Sequence, residues 1–177
     1  MLLFPNKKRS LLFLSIISIA FIQACGFTPV YKKQDGNDSA ISSSLKSIEI
    51  SKIGKGIKGQ QLKAKLEDLF NPMRADGEKK YTLSIKLTQN KEAQLIRKIR
   101  DIDRYNIVLI SEFTLKDKST DKEIYNGKGK IISGYGVVDS DFATLSAEED
   151  TIRRVTDEMA KEINFKIANY FISTNNK

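Results

Sequence analysis

Three glycines, Gly54, Gly56 and Gly59 in Gly-Lys-Gly-Ile-Lys-Gly, match the spacing G-x-G-x-x-G. In that pattern a tight turn lets backbone N–H groups at a helix start approach a pyrophosphate. The stretch lies between an alternating segment and a helical one, which is the context the motif requires. The flanking segments argue against it. They alternate apolar and polar residues, whereas strands of a parallel nucleotide-binding sheet are apolar on both faces. No acid stands at 87–90 to hold a ribose, and no second strand–helix–strand unit follows. A turn that starts a helix accounts for the glycines, with anion binding through Lys55 and Lys58 as an intermediate candidate.

Acid–base and nucleophilic chemistry is harder to assemble. The chain has no histidine and one cysteine, Cys25, which removes Ser-His-Asp, Cys-His and the usual zinc ligand sets. The carboxylate groupings are Asp101 with Asp103, Asp139 with Asp141, and Glu148-Glu149-Asp150. A hairpin turn, a loop leading into a helix, and acids at a helix N-terminus explain them more simply. The expectation is a protein that is not an enzyme and holds no metal.

Cys25 has chemistry of another kind. Lys7, Lys8 and Arg9 precede an apolar run of 12 residues, Leu11 to Ile22. That is the layout of a secretory signal peptide, and the run falls short of the 17 to 25 residues, roughly, that a membrane span needs. The run ends Ile22-Gln23-Ala24-Cys25-Gly26, which resembles the lipobox of bacterial lipoproteins, although Gln23 stands where Ala, Ser or Thr is usual. The resemblance implies cleavage between Ala24 and Cys25, a diacylglycerol thioether on Cys25 and an acylated new N-terminus. Stable anchoring takes more than one acyl chain, each buried methylene being worth about 0.8 kcal/mol. The covalent N-acyl diacylglycerol is the only attached group expected.

Of the 30 basic residues among 177, three leave with residues 1–24, so 27 face 22 acids and the mature charge is +5. A basic excess favours acidic partners such as phosphate-bearing lipid, and export makes nucleic acid an unsuitable one. Residues 25–44 read as the lipidated N-terminus and a flexible tether, since from Lys32 on they are polar and rich in Ser, Asn and Asp. Within them Phe27, Pro29 and Tyr31 form an apolar segment that is a candidate for docking, a plain linker being an equal reading. A single domain is expected over 45–172, with a disordered tail at 173–177.

Within that domain, Ser47 to Ser51 alternates as a short strand, and Gln60 to Phe70 places Leu62, Leu66, Leu69 and Phe70 at helical spacing until Asn71-Pro72. From Tyr81 a strand alternates and is expected to continue as an extended segment, turning over near Arg100 to Asp103. Arg104 to Lys116 is the strongest strand, and its second apolar pair, Val108 and Ile110, predicts local cover on both faces. Glu123 to Val138 is a strand whose glycines, at 127, 129, 134 and 136, mark bulges or close backbone approach. Ser146-Ala147-Glu148-Glu149 fits a capping box. It introduces a long helix with Ile152, Val155, Met159, Ile163, Ile167, Tyr170 and Phe171 along one stripe. The order strand, helix, strand, strand, strand, helix predicts an α+β two-layer sandwich: a four-stranded, mainly antiparallel sheet with two helices on one face.

Three stretches together resemble a known family: C-G-F-T-P-V-Y at the lipidation site, R-Y-N-I-V-L-I-S-E-F-T-L, and S-G-Y-G-V-V-D-S-D-F-A-T-L-S-A-E-E-D before the terminal helix. They are similar to the alphaproteobacterial form of the lipopolysaccharide-assembly lipoproteins, the LptE family, over nearly all of the mature chain. The resemblance implies a periplasm-facing lipoprotein of the outer membrane, seated in the lumen of the β-barrel LptD and helping to deliver lipopolysaccharide to the outer leaflet. Gly26 after the cysteine fits that destination. Arg97, Lys98, Arg100 and Arg104 at the hairpin turn become candidates for lipid A phosphates or the barrel wall through charge-assisted hydrogen bonds. A solvated basic turn that blunts a sheet edge is an equal reading. The alternatives are an auxiliary lipoprotein of another envelope transport system and a nucleotide-binding enzyme using the Gly54 to Gly59 loop.

Overall fold

A computed structural model describes residues 37–51, 53, 54, 56–95 and 103–175. The elements are α1 (Asn37–Lys46), β1 (Ile48–Ile50), α2 (Ile57–Phe70), β2 (Tyr81–Leu95), β3 (Asp103–Asp117), β4 (Glu123–Gly136) and α3 (Asp141–Asn175). The sheet order is β1-β2-β3-β4. β1 runs parallel to β2, with Ile48 opposite Tyr81 and Ile50 opposite Leu83, and the other neighbours are antiparallel. This is the expected α+β sandwich, with the mainly antiparallel sheet.

Alternation sets the layers. Leu83 and Ile85 on β2 and Ile107, Leu109, Phe113 and Leu115 on β3 are buried toward the helices. Leu62, Leu66 and Phe70 of α2 and Val155, Met159, Ile163, Ile167 and Phe171 of α3 complete the core. The five α3 residues recur every fourth position, so they form one ridge inclined to the helix axis, which suits packing on a twisted sheet. Lengths also match, about 52 Å for 35 helical residues and about 50 Å for a 15-residue strand, and α3 runs along the sheet from Phe171 beside Tyr81 to Glu148 beside Lys91.

Gly129 explains how α3 comes so close, and Gly127 makes room for the Phe113 ring of β3. A Cβ on Gly127 would lie 2.3 Å from Phe113 Cζ, and one on Gly129 would lie 2.8 Å from Met159 Sδ. These glycines are close approaches, as expected. The register irregularity on β4 lies instead opposite Leu115 and Lys116.

Several expectations need correction. The segment taken as tether through Ser44 is helical from Asn37. Its serines are poor helix formers, but Leu45 packs on the core, and tertiary packing outweighs propensity. The helices therefore number three among the described residues. At the other end α3 continues to Asn175, through most of the expected tail.

Asp103 is a strand residue opposite Leu95 and not part of the expected turn, whose other residues, Arg100 to Ile102, lie outside the described residues. Ser146 is inside α3 and caps nothing, because the helix begins at Asp141, where Ser140 Oγ accepts the Ala143 N–H at 3.3 Å. Leu69 is 37% exposed and off the core stripe. The face of β3 away from the helices has no second layer among the described residues. Val108 is buried beside its cross-strand neighbours Asn90 and Ile132, yet Ile132 itself is 51% exposed.

Candidate functional site

The strands order the site by height. β2 ends at Leu95 and β4 at Gly136, on either side of the start of β3, and the chain then turns into α3. This far end of the sheet gathers β2, β3, β4 and the first turns of α3. Alternation sends Lys91, Tyr105 and Tyr135 to the helix side, where they meet Glu148 two turns into α3.

Lys91 Nζ donates to Glu148 Oε2 at 2.6 Å, and Tyr135 Oη donates to the same oxygen at 2.5 Å. Tyr105 and Tyr135 stack with centroids 5.9 Å apart, and the Lys91 ammonium sits 4.6 Å from the Tyr105 ring centre. The hydrogen bonds from Lys91 and then Tyr135 hold the Glu148 carboxyl below its ordinary range. The Glu148 bond raises Lys91 in turn. Burial, then the bond to Glu148, raises Tyr135. Glu148 takes both bonds on one oxygen, so the cluster fastens α3 to β2 and β4.

Outside this clamp, the surface around the start of α3 is apolar and acidic. Phe142 is 80% exposed, Leu145 56% and Val138 53%. Asp139, Asp141 and Glu149 are exposed beside them. Thr144 Oγ1 takes the Val138 N–H at 3.1 Å and donates to the Val138 carbonyl at 3.2 Å, which fixes the bend into α3.

The sheet face away from the helices has a different character. Lys86, Glu112 and Lys128 form one row across β2, β3 and β4, and Lys128 bonds Glu112 at 3.0 Å. Above them lie Ile110, Lys130, Val108 and Ile132. Arg104 belongs to this face, opposite Gly136 and Gln94, and is exposed. Gly134 leaves room for it, since a Cβ there would lie 2.8 Å from Asn106 Oδ1 and 3.3 Å from Arg104 Nε.

Arg104 is therefore the described member of the basic group; Arg97, Lys98 and Arg100 lie outside the described residues, within the seven-residue link between Leu95 and Asp103. Ala24, Cys25, Phe27, Pro29 and Tyr31 lie outside them too, as does Lys55. Lys58 stands in the first turn of α2, where its charge helps lower Glu148. The structure thus sets Lys58 near an acid of its own chain.

The glycine loop has a conformational explanation. Gly54 and Gly56 have φ of +54° and +127°, which side chains rarely adopt, and a Cβ on Gly59 would lie 1.9 Å from the Ile53 carbonyl oxygen. The third glycine admits the loop against the helix. Of the carboxylates, Asp150 is engaged by Arg153 at 2.5 Å and by Arg154. Among the described residues no three His, Cys, Asp or Glu side chains converge on a metal site, and no helix is long and apolar enough to cross a membrane.

Sequence reasoning missed the Lys91–Glu148–Tyr135 clamp, since its members are far apart in the chain. The parity of Tyr105 and Tyr135 on their strands was the available signal.

The class these features define is a mainly antiparallel sheet covered on one face by helices, a fold shared with solved structures of proteins named as lipoproteins. A protein of Caulobacter crescentus CB15, provisionally named a lipoprotein, superposes with a TM-score of 0.62 at 22% identity, over 76% of this chain and 97% of that one. The rare lipoprotein B of Shewanella oneidensis gives a TM-score of 0.54 at 14% identity, over 72% and 98%. A minor lipoprotein of Acinetobacter baumannii gives 0.52 at 17%, over 69% and 90%. These likenesses establish the fold. No protein-family model matches the chain, and no curated protein matches it.

Proposed function

We propose that the chain is a lipid-anchored protein of the outer membrane whose folded body fills the lumen of the lipopolysaccharide-translocating barrel LptD and acts as its assembly partner. The observation that carries the reading is the pairing of two features. A lipobox-like Ile22 to Gly26 lies ten residues ahead of the first described helix of a fold shared with proteins named as lipoproteins. The resemblance to the LptE family supplies the partner and the cargo. A rigid body with a mostly polar sheet face and no acid–base centre among its described residues is what a plug requires. The basic residues Arg97, Lys98, Arg100 and Arg104 fit phosphate groups on lipopolysaccharide or acidic positions on the barrel wall.

Co-expression with the barrel tests this. The full chain is expected to co-purify with LptD in a fixed ratio and to bind lipopolysaccharide less tightly after charge reversal at Arg97 and Arg100. An auxiliary lipoprotein of another transport system would keep the anchor and the fold but leave LptD behind. Labelling that finds Cys25 without lipid would overturn both readings.

A further inference from the structure

We infer that Val138, Phe142 and Leu145 form a preformed knuckle that docks into an apolar pocket of a partner protein, one bordered by lysine and arginine side chains. All three are more than half exposed, and Phe142 and Leu145 stand one turn apart on α3, so they share a face. Large apolar side chains on consecutive turns at one end of a folded body mark an interaction site more often than chance exposure does. The geometry here is held in place. Thr144 bonds both the N–H and the carbonyl of Val138, at 3.1 and 3.2 Å. Ser140 caps the helix through the Ala143 N–H and accepts the Thr144 N–H on its carbonyl at 3.0 Å. Two turns on, Lys91 and Tyr135 pin Glu148. A projection fixed at three points loses little freedom on binding.

Charge selects the occupant. Asp139, Asp141 and Glu149 are exposed around the knuckle and have no ion-pair partner among the described residues, although the mature chain is basic overall. An acidic border repels the anionic surface of a bilayer and attracts a cationic rim on a protein. Aromatic and aliphatic residues seated in a pocket, with charged pairs at the edge, is the ordinary anatomy of a protein interface.

The inference deepens the proposed function, since the barrel is then the expected partner, but it does not need that identity. The full-length chain is expressed in intact cells with Phe142 replaced by a photo-crosslinking phenylalanine, and the adduct is mapped by mass spectrometry. The expected result is an adduct on one protein, at a peptide that pairs apolar residues with Lys or Arg. Its yield should fall at least tenfold when Asp139→Lys and Glu149→Lys are added, with the melting temperature unchanged. Mapping to the barrel supports both conclusions. Mapping to such a pocket on a different envelope protein supports the knuckle and overturns the barrel. Adducts on lipid or on a second copy of this chain, an adduct indifferent to the charge changes, or no adduct at all would overturn the knuckle itself.

Discussion

Lys91 and Glu148 meet at 2.6 Å across 57 residues of sequence, and that contact joins the upper part of β2 to the first turns of α3. Tyr135 donates to the same oxygen, so one carboxylate ties two strands to one helix. Replacing Glu148 by Gln should weaken both bonds without removing the side chain. Charge-assisted hydrogen bonds are worth roughly 1.5–3 kcal/mol each, and the partial exposure of Lys91 lowers this, so a loss of about 1–2 kcal/mol in urea unfolding is expected.

The same cluster sets a pH dependence. Glu148 is held below its ordinary range, so its contribution is full above the unfolded value of about 4.3 and is lost as pH falls through the lower folded value. Lys91 and Tyr135 are raised, so theirs is full below about 10 and is lost as pH rises beyond it. Melting temperatures measured from pH 5 down to pH 2 should fall less steeply for Glu148→Gln than for the wild type. Parallel curves would show that the carboxylate does not titrate with folding.

Gly127→Ala should be costly for a reason confined to one ring. The new methyl would lie 2.3 Å from Phe113 Cζ, and Phe113 is 2% exposed in the core. Overpacking of this kind costs about 1–3 kcal/mol. Gly136→Ala meets nothing within 4 Å and is the control, expected within about 0.5 kcal/mol of the wild type by denaturant titration.

Ile163 lies at the middle of the α3 ridge with no exposed surface. Ile163→Ala should cost about 2–5 kcal/mol through lost burial and the cavity left behind. The companion change Phe165→Ala, at a residue 61% exposed on the same helix, should leave the melting temperature within a degree or two, since exposed positions contribute only about 0.5 kcal/mol.

A nucleotide titration tests the glycine loop directly. A ligand at 100 times its Kd would stabilise the native state by about 2.7 kcal/mol. Millimolar ATP or NAD is expected to leave the melting temperature unmoved, because the glycines serve the turn and the Ile53 contact. A saturable rise abolished by Lys58→Ala would restore the anion site.

How much of this could be read in the sequence divides by the range of the interaction. Strand parity in Tyr81 to Leu87 and the recurrence of Val155, Met159, Ile163 and Ile167 gave the two layers, because burial there follows the backbone period. Thr151, Thr156 and Ala160 are also buried in α3, and nothing in their side chains announced it. The serine-rich helix at 37–46 was read as tether because its helicity depends on what it packs against. The capping box failed for a similar reason: Ser146 and Glu149 have the right spacing, but Ser140 lies nearer the end of β4 and the helix starts there. Glu148 was read as one of three acids at a helix start, and its real partners, on β2 and β4, are visible only once register is known.

β1 is three residues long, so β2 from Ser84 upward has no strand on that side among the described residues. The lower sheet has four strands and a helical cover; the upper sheet has three, with the outward amides of β2 open to water and the exposed residues Lys91 to Gln94 near its end. Amide hydrogen exchange should therefore be graded along the molecule, slowest around Leu83 and Leu115 and fastest above Lys91. The free edge of β2 in the upper sheet thus opens first while the lower sheet stays closed, and the start of α3, held by the Thr144 and Glu148 bonds, keeps its shape beside it.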